Sequence, residues 1–411
     1  MTSTAAVSVV VVSRERPEAL RRCLIGLSQL RYYPFEIVVI VDRASRAILR
    51  EMPQAAHMKI VEFDEPNRSE ARNIGIAHAD GDVVAFIDDD AVPEPSWLTH
   101  LTAPFQYAEV AASAGFVRGR NGISWQWRAE TVDRTGLSRP LDVDDFQPTL
   151  LIGTPEQGVK TQGTNMAFRR EVLVEMAGFD PNYRFFLDET DLSLRLAARN
   201  ACTAVVPRAE VHHGFAESTR RRPDRVPGDL REIGASWAVF LRRHCDSGTR
   251  KGVWARVLAS ERRRLVQHMV AGRLEPRDVR RLMRGLRQGH KEGTERRQNL
   301  FRPIQDLGGG FQTFPASDAE SMVVAGRRIR AKALRQESLQ QVASGRIVTM
   351  MQFSRTSRFH KITFTDDGYW LQTGGLFGKS ERTQRWFRLW RFRKRVEAEI
   401  ERIRDVRLII G

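Results

Sequence analysis

A chain of 411 residues, 41% hydrophobic and 28% charged, has the composition of a folded protein and length for more than one core, which excludes a disordered tail or a minimal scaffold. Its net charge of +16 is uneven: residues 1–240 hold 28 Lys and Arg against 33 Asp and Glu, while residues 241–411 hold 38 against 17. A mildly acidic front is thus joined to a strongly basic back, a pattern that concerns partners (an anionic membrane surface, nucleic acid, an acidic polymer) rather than fold.

The start, residues 1–6, carries no charged leader region, and the apolar run Val7–Val12 is followed at once by Arg14, Glu15 and Arg16. No leader and no membrane span are expected, since no run approaches the length that a bilayer needs. Val7–Val12 reads as a strand buried on both faces. Ser13–Arg16 forms the loop after it, and Pro17 opens a helix with Leu20, Leu24 and Leu27 on one side. Residues 36–41 and 83–87 read as further buried strands, ending at Asp42 and Asp88; residues 60–63 read as a shorter one. A helix is expected from Ser69 to Ala79, stopped by Gly81. Strands alternating with helices imply an α/β, parallel, doubly wound sheet.

Residues 110–160 read as a long loop region with short strands. Order returns with a loop at 163–165, helices at 170–177 and 188–200, and two short extended pieces at 205–207 and 211–213. Residues 228–244 and 251–289 read as helical, and 290–320 as a loop or linker around Gly308, Gly309, Gly310 and Pro315. Strands follow at 347–353, 360–365 and 369–372, the last two joined at an Asp366-Asp367-Gly368 turn. A basic amphipathic helix over 381–405 closes the chain. The expected units are 1–244, a basic helical extension over 245–300, and an α+β region over 301–411. Cys23, Cys202 and Cys245 are scattered, with no C-x-x-C pair, so neither a disulfide framework nor a cysteine zinc site is expected and a reducing, cytoplasmic setting fits.

In an open α/β sheet, ligands gather at the carboxyl ends of the strands. Asp42, the run Asp88-Asp89-Asp90 and the set Asp188, Glu189 and Asp191 all fall at such places. Three adjacent aspartates repel one another unless a cation joins them. Mg²⁺ or Mn²⁺ suits carboxylate oxygens and shares its shell with phosphates. A solvated acidic turn is the plainer alternative. For Asp188, Glu189 and Asp191 the plainer alternative is helix capping.

Context adds to these residues. Asn67 to Gly75 (NRSEARNIG), Ala79-Asp80-Gly81-Asp82, Phe86 to Asp90 (FIDDD) and Pro93 to Leu98 (PEPSWL) follow in order. So do Gly163 to Arg170 (GTNMAFRR), Gly178-Phe179-Asp180 and Asp188 to Arg195 (DETDLSLR). Together they resemble the family 2 glycosyltransferases of the GT-A fold over residues 7–244. The resemblance implies a doubly wound mixed sheet that binds a nucleotide-sugar donor (UDP-, GDP- or dTDP-linked) with a divalent metal. It implies Asp42 at the base, Asp88 at the ribose, Arg72 against the nucleotide and Asp90 at the metal. Ser13, Arg14, Asp89 and Asn165 join the nucleotide-sugar set. The family's usual E-D-x-D-L stands here as Asp188-Glu189-Thr190-Asp191-Leu192, which puts Glu189 in the place of the catalytic base; Asp188 and Asp191 stay open as alternatives. His212 or His213 would complete the metal's shell, with His213 favoured.

The implied activity is inverting transfer of a hexosyl or deoxyhexosyl group to a hydroxyl of a glycan or lipid-linked acceptor in surface polysaccharide synthesis. The basic back half matches no motif. Its Trp386, Phe387, Leu389, Trp390 and Phe392 interleave with arginines, which suits a peripheral location at the inner face of an anionic membrane. Against this stands packing of the aromatics onto the catalytic unit, which is slightly favoured for them. Nucleic acid is not an expected partner, as no such binding module is recognisable. Two other functions compete. A nucleotidyltransferase would carry a glycine-rich loop after the first strand, and Ser13–Pro17 has no glycine. A non-catalytic scaffold would not need the acids at 88–90 and 188–191.

Overall fold

A computed structural model of the chain describes residues 4–214, 216–217, 220, 222–298 and 301–409. The reading of the first six residues therefore falls partly outside the described ones. Among the described residues, ten strands share one sheet. Its main path runs Thr149–Ile152, Cys202–His213, Val110–Arg118, Asn165–Arg169, Val83–Asp88, Val7–Ser13, Phe35–Val41, Met58–Glu62. Val7–Ser13 lies parallel to both Phe35–Val41 and Val83–Asp88, whereas Asn165–Arg169 runs antiparallel to Val83–Asp88. The sheet is therefore mixed.

Alternation along the first strand explains the layers. Val7, Val9 and Val11 face one core with Leu20, Leu24 and Leu27 of helix Pro17–Leu27. Val10 faces the other, with Ala71 and Ile76 of helix Arg68–Ala77. A period of two on the strand and a stripe on each helix bury both faces, giving the doubly wound α/β arrangement expected.

Several strands escaped the sequence reading, among them Ala91–Pro93, Ser321–Arg327 and two in the middle of the main sheet. Val110–Arg118, assigned to a loop region, is wholly buried in the sheet. Its VAASAGFVR composition is poor in branched and aromatic residues, so propensity pointed away from a strand while burial imposed one. Asn165–Arg169, placed beside a loop, fills the slot between Val83–Asp88 and Val110–Arg118. The two extended pieces near 205 and 211 are one strand, Cys202–His213, with a register break between Val206 and Val211.

The basic half has two parts. Helices Arg231–His244, Arg250–Val270 and Pro276–Glu295 pack together; the stretch expected as one helix over 251–289 is broken at Gly272, which has φ +69°. Beyond them lies a four-stranded sheet ordered Ser321–Arg327, Ile347–Ser354, Trp370–Gly375, Lys361–Phe364. Helix Ala331–Ala343 covers one of its faces and helix Phe392–Arg407 the other. The closing helix starts at Phe392, not 381, because only from there do Val396, Ile400 and Ile403 meet the sheet.

The expected linker is docked rather than loose. The Phe314 N–H donates to Phe35 O at 2.7 Å, the Ser317 N–H to Leu30 O at 2.9 Å, and the Phe314 ring is buried in the first core. No helix among the described residues is long and apolar enough to cross a membrane.

Candidate active site

The strand Val83–Asp88 delivers Asp88 to the carboxyl edge of the sheet, and the next two aspartates turn off it. Each of the three meets different partners. Asp88 Oδ2 accepts the Thr164 hydroxyl at 2.7 Å, and Arg72 lies 3.7 Å from its other oxygen. Asp89 is fully buried, accepts the Ser13 hydroxyl at 2.7 Å and pairs with Arg16. Asp90 accepts the Ala216 N–H at 2.8 Å and lies 3.2 Å from both Arg16 and His213.

Asp88, Asp90 and His213 each offer one ligand atom, and these atoms lie within 4.8 Å of one another. His213 Nδ1 sits 2.9 Å from Gln126 Oε1. An Nδ1–H donated to Gln126 leaves Nε2 as the nitrogen facing Asp90, the orientation a metal-binding imidazole requires. Two carboxylates and one imidazole fit a divalent ion at the hard-to-borderline end, Mn²⁺ better than Mg²⁺.

Electrostatics separate the three acids. Burial alone would raise each carboxyl. Arg68 and Arg72 outweigh it at Asp88, which is held below the usual range. His213, Arg16 and the Ala216 N–H outweigh it at Asp90 and hold it well below. At Asp89 burial prevails, even against Arg16, and its carboxyl is pushed up to about 7. The pair best placed for a cation is thus the pair most firmly ionised.

The second acid cluster stands across the same cleft. Leu187, at φ +67°, turns the chain into helix Asp188–Ala197. A left-handed leucine costs about 1–3 kcal/mol and persists only where packing dictates it. Glu189 reaches the cleft, whose volume is about 640 Å³ and whose walls include Ser13, Arg14, Asp88, Asp90 and His213. That volume is within the usual range for small-molecule sites. Burial and then the neighbouring Asp188 push Glu189 up to about 8. Asp188 is fully buried and bonded to Arg72 at 2.5 Å.

Residues 8–176 match the family model described as Glycosyl transferase family 2. The chain is 28% identical over 249 residues to the O-antigen biosynthesis protein RfbC of Myxococcus xanthus, covering 54% of this chain and 18% of that protein. It is also 28% identical over 190 residues to the glucosyl-dolichyl phosphate glucuronosyltransferase of Haloferax volcanii, covering 43% of this chain and 56% of that one. The chain thus spans only part of the length of these relatives. Among solved structures, GalNAc-T7 with UDP, GalNAc and Mn²⁺ superposes with a TM-score of 0.45 at 18% identity, over 59% of this chain and 48% of that one.

Several residues expected at the site lie elsewhere. Arg72 is 2% exposed and bonds Asp188 and Gly163 O, so its guanidinium is spent on holding the cleft floor rather than standing open in the cleft. Asn165 is consumed by structure: it accepts the Trp97 indole N–H and donates to Phe116 O and Ala209 O, the last at the break in Cys202–His213. Asp89 is sealed by Ser13 and Arg16 rather than open to donor. Asp191 pairs with Arg195, Arg243 and His244 on the far side of its helix and is no base candidate. Asp188, held by Arg72, leaves Glu189 as the acid of that set that faces the cleft. His212 points away from the metal group and bonds Glu94 at 2.9 Å. Asp42 caps helix Arg43–Leu49 through the Ser45 N–H and also accepts the Glu15 N–H, which shapes the loop after the first strand.

The sequence reading missed Arg16, Thr164 and Gln126, which touch the acids and the histidine. Thr164 lay inside a quoted motif, but its contact spans 76 residues. It also missed that Arg264, from the basic helices, lines the same cleft.

Proposed function

We propose that the chain is a metal-dependent, inverting glycosyltransferase. It moves a hexosyl or deoxyhexosyl group from a UDP-, GDP- or dTDP-sugar to a hydroxyl of a glycan or lipid-linked acceptor, in surface polysaccharide synthesis at the inner face of the membrane. The observation that carries this reading is the convergence of Asp88, Asp90 and His213 in one cleft with Glu189. The named roles of the Myxococcus and Haloferax relatives support the polysaccharide and lipid-linked parts. Residues 1–244 carry the chemistry; 245–300 and 301–411 brace it.

The loop bearing Ser13 and Arg14 holds the nucleoside end of the donor. A divalent ion on Asp88, Asp90 and His213 would supply positive charge against the departing diphosphate. Arg16, already against Asp90, adds a fixed positive charge beside the same position. Glu189 takes the proton of the acceptor hydroxyl as it attacks the anomeric carbon; a single displacement inverts that centre. Arg72 and Asp188 act beneath the floor by holding the helix start that presents Glu189.

The test is a thermal-shift series with UDP, GDP and dTDP, each with and without Mn²⁺ and after EDTA. A nucleotide shift that needs Mn²⁺ and is lost in Asp90→Ala is expected. No metal-dependent shift with any of the three, or normal sugar transfer by Asp90→Ala, would overturn the reading. A nucleotidyltransferase would instead respond to nucleoside triphosphates.

A further inference from the structure

Between Arg382 and Lys394 the sequence carries six basic residues, Arg382, Arg385, Arg388, Arg391, Arg393 and Lys394, and no acid. All six are exposed. Within this stretch Trp386, Phe387 and Leu389 are 76%, 54% and 78% exposed. Exposed apolar side chains such as Ile329 and Val270 stand singly, which needs no explanation. Three within four residues, ringed by one sign of charge, do.

The segment is built rather than loose. The Trp386 ring lies 5.6 Å from Phe359, with Lys379 Nζ 5.2 Å above it. Phe387 lies 5.4 Å from Phe377, and Arg388 covers Trp390 at 4.2 Å. Arg393 and Lys394 share Glu397. The apolar tips are held outward by a floor of other rings.

We infer that this ridge is a docking surface for an anionic lipid bilayer. Tryptophan and phenylalanine sit at the level of the headgroups, leucine reaches the acyl boundary, and the arginines meet lipid phosphates. Charge complementarity selects anionic lipid over neutral. Leu389 favours lipid over single-stranded nucleic acid, since an aliphatic side chain offers no face on which a base can stack.

The ridge also adjoins the cleft. Arg382 Nε donates to Ser124 Oγ at 2.6 Å, and Gln126, two residues on, holds His213 in the cleft wall. A chain docked through the ridge keeps its cleft beside the bilayer, where a lipid-linked acceptor is presented. That consequence rests on the proposed transferase activity; the docking itself does not.

Flotation of the full chain with vesicles tests it. Binding to phosphatidylcholine vesicles containing phosphatidylglycerol, weakened by salt and absent with phosphatidylcholine alone, is expected. Trp386→Ser, Phe387→Ser and Leu389→Ser combined should bind roughly tenfold more weakly while melting at the wild-type temperature and keeping the Mn²⁺-dependent nucleotide shift. Arg385→Gln, Arg388→Gln and Arg391→Gln combined should lose the preference for anionic vesicles. Failure of wild type to float, or flotation of both variants like wild type, overturns the inference. So does binding to single-stranded RNA that both variants lose while flotation is unchanged. Failure of the nucleotide shift with flotation intact would count only against the transferase reading.

Discussion

His212 and His213 are neighbours in the chain and face opposite ways, because successive side chains of a strand project to opposite sides. His213 joins Asp88 and Asp90; His212 bonds Glu94 and lies 4.7 Å from the Trp370 ring. His213→Ala should therefore abolish tight Mn²⁺ binding, and Gln126→Ala should weaken it by roughly 10- to 100-fold by freeing the ring. His212→Ala should leave Mn²⁺ affinity near wild type but lower the melting temperature. Titration calorimetry with Mn²⁺ separates the three, and equal loss in both histidine variants would sink the assignment. Glu189 gives a signed pH dependence. Its carboxyl is pushed up to about 8, and a base must be ionised, so kcat should climb as pH rises toward 8. That limb should vanish in Glu189→Gln, whose residual rate stays flat. Stability runs the other way. The folded chain keeps a proton that the unfolded chain releases, so the wild type loses stability from the ordinary glutamate range up to about pH 8. Glu189→Gln should thus gain most in melting temperature over wild type at pH 9 and least at pH 4.

At the scale of elements, helix Arg68–Ala77 shows what a motif glycine does. A Cβ on Gly75 would collide with Val10 Cγ1 of the first strand. Gly75→Ala should cost about 1–3 kcal/mol despite alanine's helix preference, since the core must open to admit the methyl. Gly252, in helix Arg250–Val270, meets nothing within 4 Å, so Gly252→Ala should stabilise by up to about 1 kcal/mol. Urea unfolding of both variants checks the pair; a harmless Gly75→Ala would mean that the helix does not pack as described. The same logic accounts for what sequence patterns revealed and hid. The runs at 7–12, 36–41 and 83–87 announced their strands because branched residues buried on both faces leave few other options. Val110–Arg118 did not, because it needs small residues: Gly115 lies against Ala209 and the Asn165 amide, where no side chain fits. Trp386 to Trp390 carried helical spacing but formed no helix, having no sheet beneath them to reward one.

Across the whole molecule, the last helix reaches back to the ten-stranded sheet. Arg407, 1% exposed, forks onto both oxygens of Glu94 at 2.8 Å, and its guanidinium lies 4.1 Å from the Trp370 ring centre. Burial opposes the Glu94 charge, yet Arg407 and then His212 hold it well below the usual range. Arg407→Ala strands that charge and should cost about 3–5 kcal/mol, a loss that Glu94→Gln in the same chain should partly restore. Denaturation of the single and double variants measures this. If the single variant matches wild type, residues 301–411 are not braced through this pair.

The sequence by itself determined the fold class and the polar edge. Strand runs ending in Asp42 and Asp88, and a helix opening with three acids, can be read because they depend on local period and spacing. Only the tertiary structure decided which of these acids face the cleft. Arg72 and Asp188 are 116 residues apart, and Asp90 and His213 lie in different motifs. A buried guanidinium consumes one carboxylate and leaves its neighbour open, and nothing in the order of the letters records which. Of the three adjacent aspartates, the fold groups Asp88 and Asp90 with His213 and turns Asp89 inward to hold Ser13 and Arg16.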